Sequence, residues 1–325
     1  MKRILSIAVA LVATITAGAQ NIAVVNSSNT TKIYQTLDEA ITNAEAGSII
    51  YIPGGGYALT DNTKINKKLT IMGVSHRGDT DNVDGATVIS GNLNFISGSS
   101  HSAVMGVFVS GNVVLTDSIA NFTMRYCNVN SVQVKSSKSG GMIINQCYIR
   151  NNSNFGNCNV KVNNCILHSI QNVNGGTIEH NVMTSSAGSN EGWRTMWNVN
   201  STSISYNFLL SQTKDYIHYG SNCLTDHNCM KEGGSWGDNP VVLPKNTKWE
   251  DIFKANKGVS ILSDYHLTDT WTKSTDPDLT GLGIYGGSGF SDTALAPIPR
   301  IVSKKVSEQT DGSGKLQIEV TVKAQ

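Results

Sequence analysis

In the stretch KDYIHYG, residues 214–220, Lys214, Tyr216 and His218 stand at alternate positions. Alternate side chains of an extended strand share one face. With Ile217 turned inward, an outward triplet of amine, phenol and imidazole has the parts of a β-elimination: one group to take the proton beside a carboxylate, another to neutralise that carboxylate. A solvated strand face has the same composition, so the triplet remains a candidate catalytic set and no more. Around it lie Trp193, Arg194, Trp197, Asp215, Tyr219 and Trp236, and no Trp precedes position 193. Flat aromatic rings suit the C–H faces of sugars, and Arg or Lys pairs with uronic carboxylates. These six are therefore the candidate ligand-binding residues, set against a reading in which the Trp side chains only fasten a loop to the scaffold beneath.

Other reactive residue types are less concentrated. Asp79, Asp81 and Asp84 in RGDTDNVDG are oxygen ligands of the kind Ca²⁺ takes, but their spacing is not that of an EF-hand, and a polar turn is the favoured reading. His101, His168, His180, His227 and His266 are dispersed, with no i, i+4 pair for zinc, and read as corner residues. No metal site is expected.

The elements that would carry these groups are announced by a repeated phrase. RYCNVN, NQCYIR and NNCILH place Cys127, Cys147 and Cys165 at equivalent points, and EHNVMT, SYNFLL and DHNCMK place Asn181, Asn207 and Asn228 there. The period is roughly 20 residues with insertions, and periods of that size mean solenoids. Within a unit apolar residues alternate, as in VKVNNCIL, so the units are short strands and not helices. Stacking the laps turns each equivalent position into a column: small half-apolar Cys in the early laps, then Asn side chains bonded lap to lap. An unbonded Cys stack is favoured over a disulfide between neighbouring laps, and Cys158, Cys223 and Cys229 have no assignable pairing.

Composition agrees with this architecture. Of 325 residues, 39% are hydrophobic and 15% charged, the latter against about 25% in ordinary domains. Asn, Ser, Thr and Gly carry the polarity, which suits short strands joined by tight corners. A formal charge of +1 with no basic run gives no footprint for nucleic acid. Residues 1–19 combine Lys2 and Arg3, a short apolar run and an AGA end, the pattern of a secretory signal. A secreted, periplasmic or cell-surface location is expected, with no transmembrane segment in the mature chain.

The segment TLDEAITNAEAGSIIYIPGGGYALTDNTKINKKLTIMGV, residues 36–74, resembles the N-terminal part of the pectate-lyase-like β-helix superfamily. Thr36 with Glu39 forms a capping box, and Leu37, Ala40, Ile41 and Ala44 an apolar stripe. The resemblance implies an all-β right-handed parallel β-helix with an N-terminal α-helical cap. It does not imply an activity, because that superfamily hosts lyases, hydrolases, esterases and non-catalytic adhesins. The polygalacturonase-like Gly-His-Gly and Arg-Ile-Lys segments are missing, and the rungs carry few carboxylates for a lyase-type calcium site. No catalytic residue is carried across.

The expected organisation is a signal over 1–19, a coil over 20–295 with a helical cap near 36–46, and a tail over 296–325. Thr247 with Glu250 predicts a second capping box and a helical excursion near 247–257, after which SDYHL and GLGIYGG read as returning strands. RIVSKKV and LQIEVTV flank Asp311-Gly312 and predict a short C-terminal hairpin. The expected function is non-catalytic binding of polysaccharide at or outside the cell envelope. The alternatives are a lyase acting on uronate glycans and a structural or adhesin-like envelope protein.

Overall fold

The computed structural model describes residues 21–77, 85–185, 195–210, 217–231, 237–244, 246–254, 263–275, 277–292, 300–310 and 312–323. The signal-like residues 1–19 lie outside these, as do Asp79, Asp81, Asp84, Trp193, Arg194, Lys214, Asp215, Tyr216 and Trp236. The described chain is mostly β, and its two large sheets are built almost wholly from parallel pairs.

Each lap contributes three short strands. In one lap these are Thr123–Arg125, Asn128–Val129 and Val132–Val134; the next begins with Met142–Asn145. First strands pair with first strands and third with third, within a 16-stranded sheet, while the two-residue second strands stack into a 10-stranded sheet. Further along, third and first strands merge into the long strands Ser153–Asn163, Ile170–Glu179 and Met196–Ser205.

The period-two pattern explains the core. Met124, Ile144, Val162, Ile178 and Ile204 are register neighbours on successive laps, and all are fully buried. Val109, Val129, Ile149, Leu167, Met183 and Leu209 form the facing row from the second sheet. Burying one such side chain contributes roughly 1.5–3 kcal/mol, so each lap adds its own share of the core.

At the N-terminus Ile22–Val25 pairs antiparallel with both Thr31–Tyr34 and Ile49–Ile52. Helix α1, Leu37–Asn43, follows Thr36, whose hydroxyl accepts the Glu39 N–H at 3.2 Å. Its stripe Leu37, Ala40, Ile41 and Ala44 is buried as the spacing predicts.

The six residues of the repeated phrase form one interior column. The Cys147 N–H points at Cys165 Sγ at 3.4 Å, the Cys165 N–H donates to Asn181 Oδ1 at 2.9 Å, the Asn181 N–H donates to Asn207 Oδ1 at 2.9 Å, and the Asn207 N–H donates to Asn228 Oδ1 at 3.2 Å. The Asn side chains also donate sideways, to the carbonyls of Val162, Ile178 and Ile204, each at 2.8 Å. All six cysteines are free thiols.

The C-terminal part departs from expectation. Helix α2, Trp249–Ile252, starts after Lys248 with no side-chain cap, so the Thr247–Glu250 box does not form. Burial of Trp249 and Ile252 sets the start of this single turn instead. A further single turn, α3, spans Asp269–Thr272. SDYHL and GLGIYGG are not strands of a lap. Residues 281–292 form an irregular strap across the outer face of the 10-stranded sheet, with a 3₁₀ turn at Gly283–Tyr285. Leu279, Leu282 and Ile284 are buried there with Trp249, Phe253 and Tyr265, against the outward row Ile166, Val182, Phe208 and Cys229. This part of the sheet is thus covered on both faces and can afford apolar residues on each. Arg300–Thr310 and Leu316–Lys323 form the expected antiparallel hairpin. Among the described residues no helix is long and apolar enough to cross a membrane.

Candidate functional site

The residue before each slot turns the corner in the left-handed region: Tyr126, Gln146, Asn164, His180, Tyr206 and His227 have φ of 53°, 51°, 49°, 54°, 56° and 48°. Among these types Asn and His are the ones enriched in that conformation, while Tyr and Gln seldom adopt it. His180, Tyr206 and His227 stack with ring centroids 5.1 Å apart at each step and planes within 12°, close to the strand spacing of about 4.8 Å. Asn164 and Gln146 use their amides to grip the strap. Asn164 Nδ2 donates to the carbonyls of Ile284 and Gly286 at 2.9 and 2.8 Å, and its Oδ1 accepts the Ser288 hydroxyl at 2.8 Å. Gln146 Oε1 accepts the Ser291 N–H at 2.7 Å.

Where the strap meets the second sheet, a cleft of about 400 Å³ opens, lined by Arg77, Tyr148, Ser263, Asp264, His266, Tyr285 and Asp292. Tyr148 comes from the sheet, Arg77 from the loop after the strand Thr70–Gly73, and the rest from the C-terminal segment. Asp264 Oδ1 accepts both the His266 backbone N–H at 2.9 Å and His266 Nδ1 at 2.7 Å. That contact assigns the proton of a neutral imidazole to Nδ1 and leaves Nε2 as an acceptor. Nε2 lies 3.5 Å from Asp292 Oδ2, an ion pair whenever the ring is protonated. The Tyr285 hydroxyl donates to Asp292 Oδ1 at 2.6 Å, and the Tyr285 ring stacks on His266 with centroids 3.9 Å apart. Asp264 with His266, and Asp292 with Tyr285, are thus two hydrogen-bonded pairs that the Nε2–Oδ2 contact joins whenever the imidazole is protonated.

Electrostatics follow from these contacts. Burial raises the Asp264 carboxyl, but the hydrogen bonds from His266 outweigh it, and the group ionises below the usual carboxylate range. Burial, reinforced by Asp292, pushes the Tyr285 phenol far above the ordinary tyrosine range. Burial does the same to Tyr265.

Of the sequence-predicted site residues, Trp197, His218 and Tyr219 are described, and they lie on strands outside the cleft. Trp197 is half-buried on Met196–Ser205, in register with Gln171 on one side and His218 on the other. Ile217 is the register neighbour of buried Met196, and Tyr219 of Val199. Trp197 and His218 are thus brought together, but in the 16-stranded sheet and not at the cleft. The side chains of Ile217–Tyr219, with Trp193, Arg194, Lys214, Asp215, Tyr216 and Trp236, lie outside the described residues. Of the histidines, His101, His180 and His227 do occupy positive-φ corners. His266 does not: it is the centre of the cleft, held by Asp264 two residues before it. The Asp-x-His text of SDYHL was the one local signal available. Arg77, Tyr148, Tyr285 and Asp292 carry none, since the fold alone assembles them. Among the described residues no group of three or more His, Cys, Asp or Glu side chains is placed to hold a metal ion.

No family model, curated protein or solved structure matches the chain.

Proposed function

We propose that the protein is an exported right-handed parallel β-helix of the pectate-lyase-like kind, with α1 as its N-terminal cap, and that the strap cleft binds a polysaccharide without cleaving it. One observation carries the reading: carboxylate acceptors, an imidazole, a phenol and a guanidinium converge in an open cleft beside the rings of Tyr148 and Tyr285. Sugar hydroxyls both donate and accept, so they are matched by such a mixed set, and aromatic rings receive their C–H faces. The scaffold supplies rigidity, because the floor of the cleft is a sheet strand and its side is a strap bonded to the corner column.

The test is a glycan array followed by titration calorimetry with the full chain. His266→Ala and Asp292→Asn should each weaken binding about tenfold or more, since the first leaves the Asp264 carboxylate without its imidazole donor and the second removes the carboxylate that accepts the Tyr285 hydroxyl. Binding that survives both unchanged removes the cleft from the proposal.

A second reading is favoured by the Asp264–His266 hydrogen bond, which is the geometry that orients a general base. It makes the cleft a polysaccharide lyase or hydrolase site. Uronate and neutral polymers incubated with folded protein would show an unsaturated product by ultraviolet absorbance or new reducing ends; silence on every polymer bound by the array leaves the non-catalytic reading.

A further inference from the structure

We infer that Gln146 and Asn164 are positioning residues of the cleft: two corner side chains on adjacent laps that hold the strap on either side of Tyr285 and beside Asp292, and so set where those groups stand. The inference rests on reading the cleft as the binding site.

The strap has little regular structure of its own to fix its position. Its only regular element is the three-residue 3₁₀ turn, and Gly281, Gly283, Gly287 and Gly289 all have positive φ. Its place is therefore set by what it touches. The two carbonyls that Asn164 holds belong to Ile284 and Gly286, the residues on either side of Tyr285. The N–H that Gln146 holds belongs to Ser291, the residue before Asp292. Neither amide lines the cleft. The seat between these bonds is tight: a Cβ at Gly286 would lie 1.9 Å from the Gly281 carbonyl oxygen and 2.4 Å from His180 Nδ1. The Gly283 N–H on the Tyr206 carbonyl at 2.8 Å and the burial of Leu282 and Ile284 seat the start of the strap, and from Ile284 onward the amides of Asn164 and Gln146 hold the backbone that flanks Tyr285 and Asp292.

The corner conformation supplies the discriminating variants. Gln146 and Asn164 sit at positive φ, where glycine is at ease. Gln146→Gly removes the grip while relieving the backbone, so lap stability and cleft geometry are driven apart; Asn164→Gly gains little relief, because asparagine already tolerates the corner, and strands the two carbonyls it holds. A residue with a merely structural role would move both together.

The experiment is a spectrophotometric titration of tyrosines in the full chain, for each glycine variant with and without Tyr285→Phe. The expected result is one additional phenol ionising in the ordinary tyrosine range in the glycine variants, lost again when Tyr285→Phe is added. The urea midpoint at neutral pH should hold or rise for Gln146→Gly and fall for Asn164→Gly, which strands the Ile284 and Gly286 carbonyls. Affinity for whichever glycan the array identifies should fall about tenfold, the size expected when a supporting shell is removed. A Tyr285 phenol that stays raised in both variants overturns the inference. A phenol that is released, in a protein that binds no glycan even unmutated, supports the positioning role and removes the glycan reading instead. Should Asn164→Gly not fold, Gln146→Gly decides alone, since Gln146 lies at a half-exposed corner.

Discussion

The slot column and the corner column are one residue apart in every lap, yet they do opposite things. Cys127, Cys147, Cys165, Asn181, Asn207 and Asn228 point into the coil, are almost wholly buried, and meet the equivalent residue of the next lap. Burial pushes the Cys127 and Cys147 thiols well above their ordinary range, which leaves them unreactive. Tyr126, Gln146, Asn164, His180, Tyr206 and His227 share a backbone conformation; the last three stack lap on lap, but the column also meets other segments: the strap, and through His76 Nδ1 on the Tyr126 carbonyl at 2.9 Å, the loop that carries Arg77. In a repeat of this kind, a single step along the chain separates what holds laps together from what can recruit chemistry to them.

The contrast breaks most severely at Asn207. Asn207→Leu keeps the branched shape, adds bulk, and strands the Ile178 carbonyl and the Asn181 N–H inside the column; it should cost about 4 kcal/mol in chemical denaturation. A loss below about 1 kcal/mol would show that the amide column does not bind the laps.

The next effect is confined to the strap. Tyr265 and Tyr285 have phenols raised by burial, and for Tyr285 also by Asp292, so the fold favours their neutral forms. Their contribution is complete below the ordinary tyrosine value of about 10 and is lost as pH rises through the raised values. Trp249 and Trp271 fluorescence should therefore change in alkali before the far-ultraviolet dichroism of the laps does. Simultaneous loss of both signals would mean the strap and coil are one unit.

On the acid side Asp264 has the opposite sign. Its carboxyl is lowered, since the hydrogen bonds from His266 exceed the opposing effect of burial. Its contribution is present above the ordinary carboxylate value and lost as pH falls through the lowered one. Asp264→Asn should flatten that acid limb in urea midpoints measured against pH; an unchanged limb would assign it to other groups. The smallest effect belongs to the thiols. Cys147→Val should cost less than about 1 kcal/mol, because the slot asks of Cys only its size; a larger loss would give the sulfur contacts a greater share in the column.

Legibility in the sequence followed the same division. The slot phrase could be read because inward position, alternation and corner recur together, and α1 because Thr36 and the stripe from Leu37 to Ala44 are local signals. The strap was misread because SDYHL and GLGIYGG share alternation and glycine with true laps, and only packing against Val182 and Phe208 separates them. The Thr247–Glu250 pair had the letters of a capping box, but burial of Trp249 chose another start. The cleft draws on positions 77, 148, 264, 266, 285 and 292, a set no short-range spacing can disclose. Trp197 and His218 are register neighbours on the other sheet, away from the cleft.

The direction in which the strap runs has a mechanical corollary. It meets Tyr206 first, through Gly283, then Asn164, and only at its C-terminal end Gln146. Tension passing along the strap from its C-terminal end would therefore act as a peel, reaching the Gln146 bond to Ser291 before the Asn164 bonds and the Gly283 bond to Tyr206. In an optical trap the first yield should be a short extension that opens the strap cleft while the laps remain stacked; a first event as long as a whole lap would show that the load travels another way.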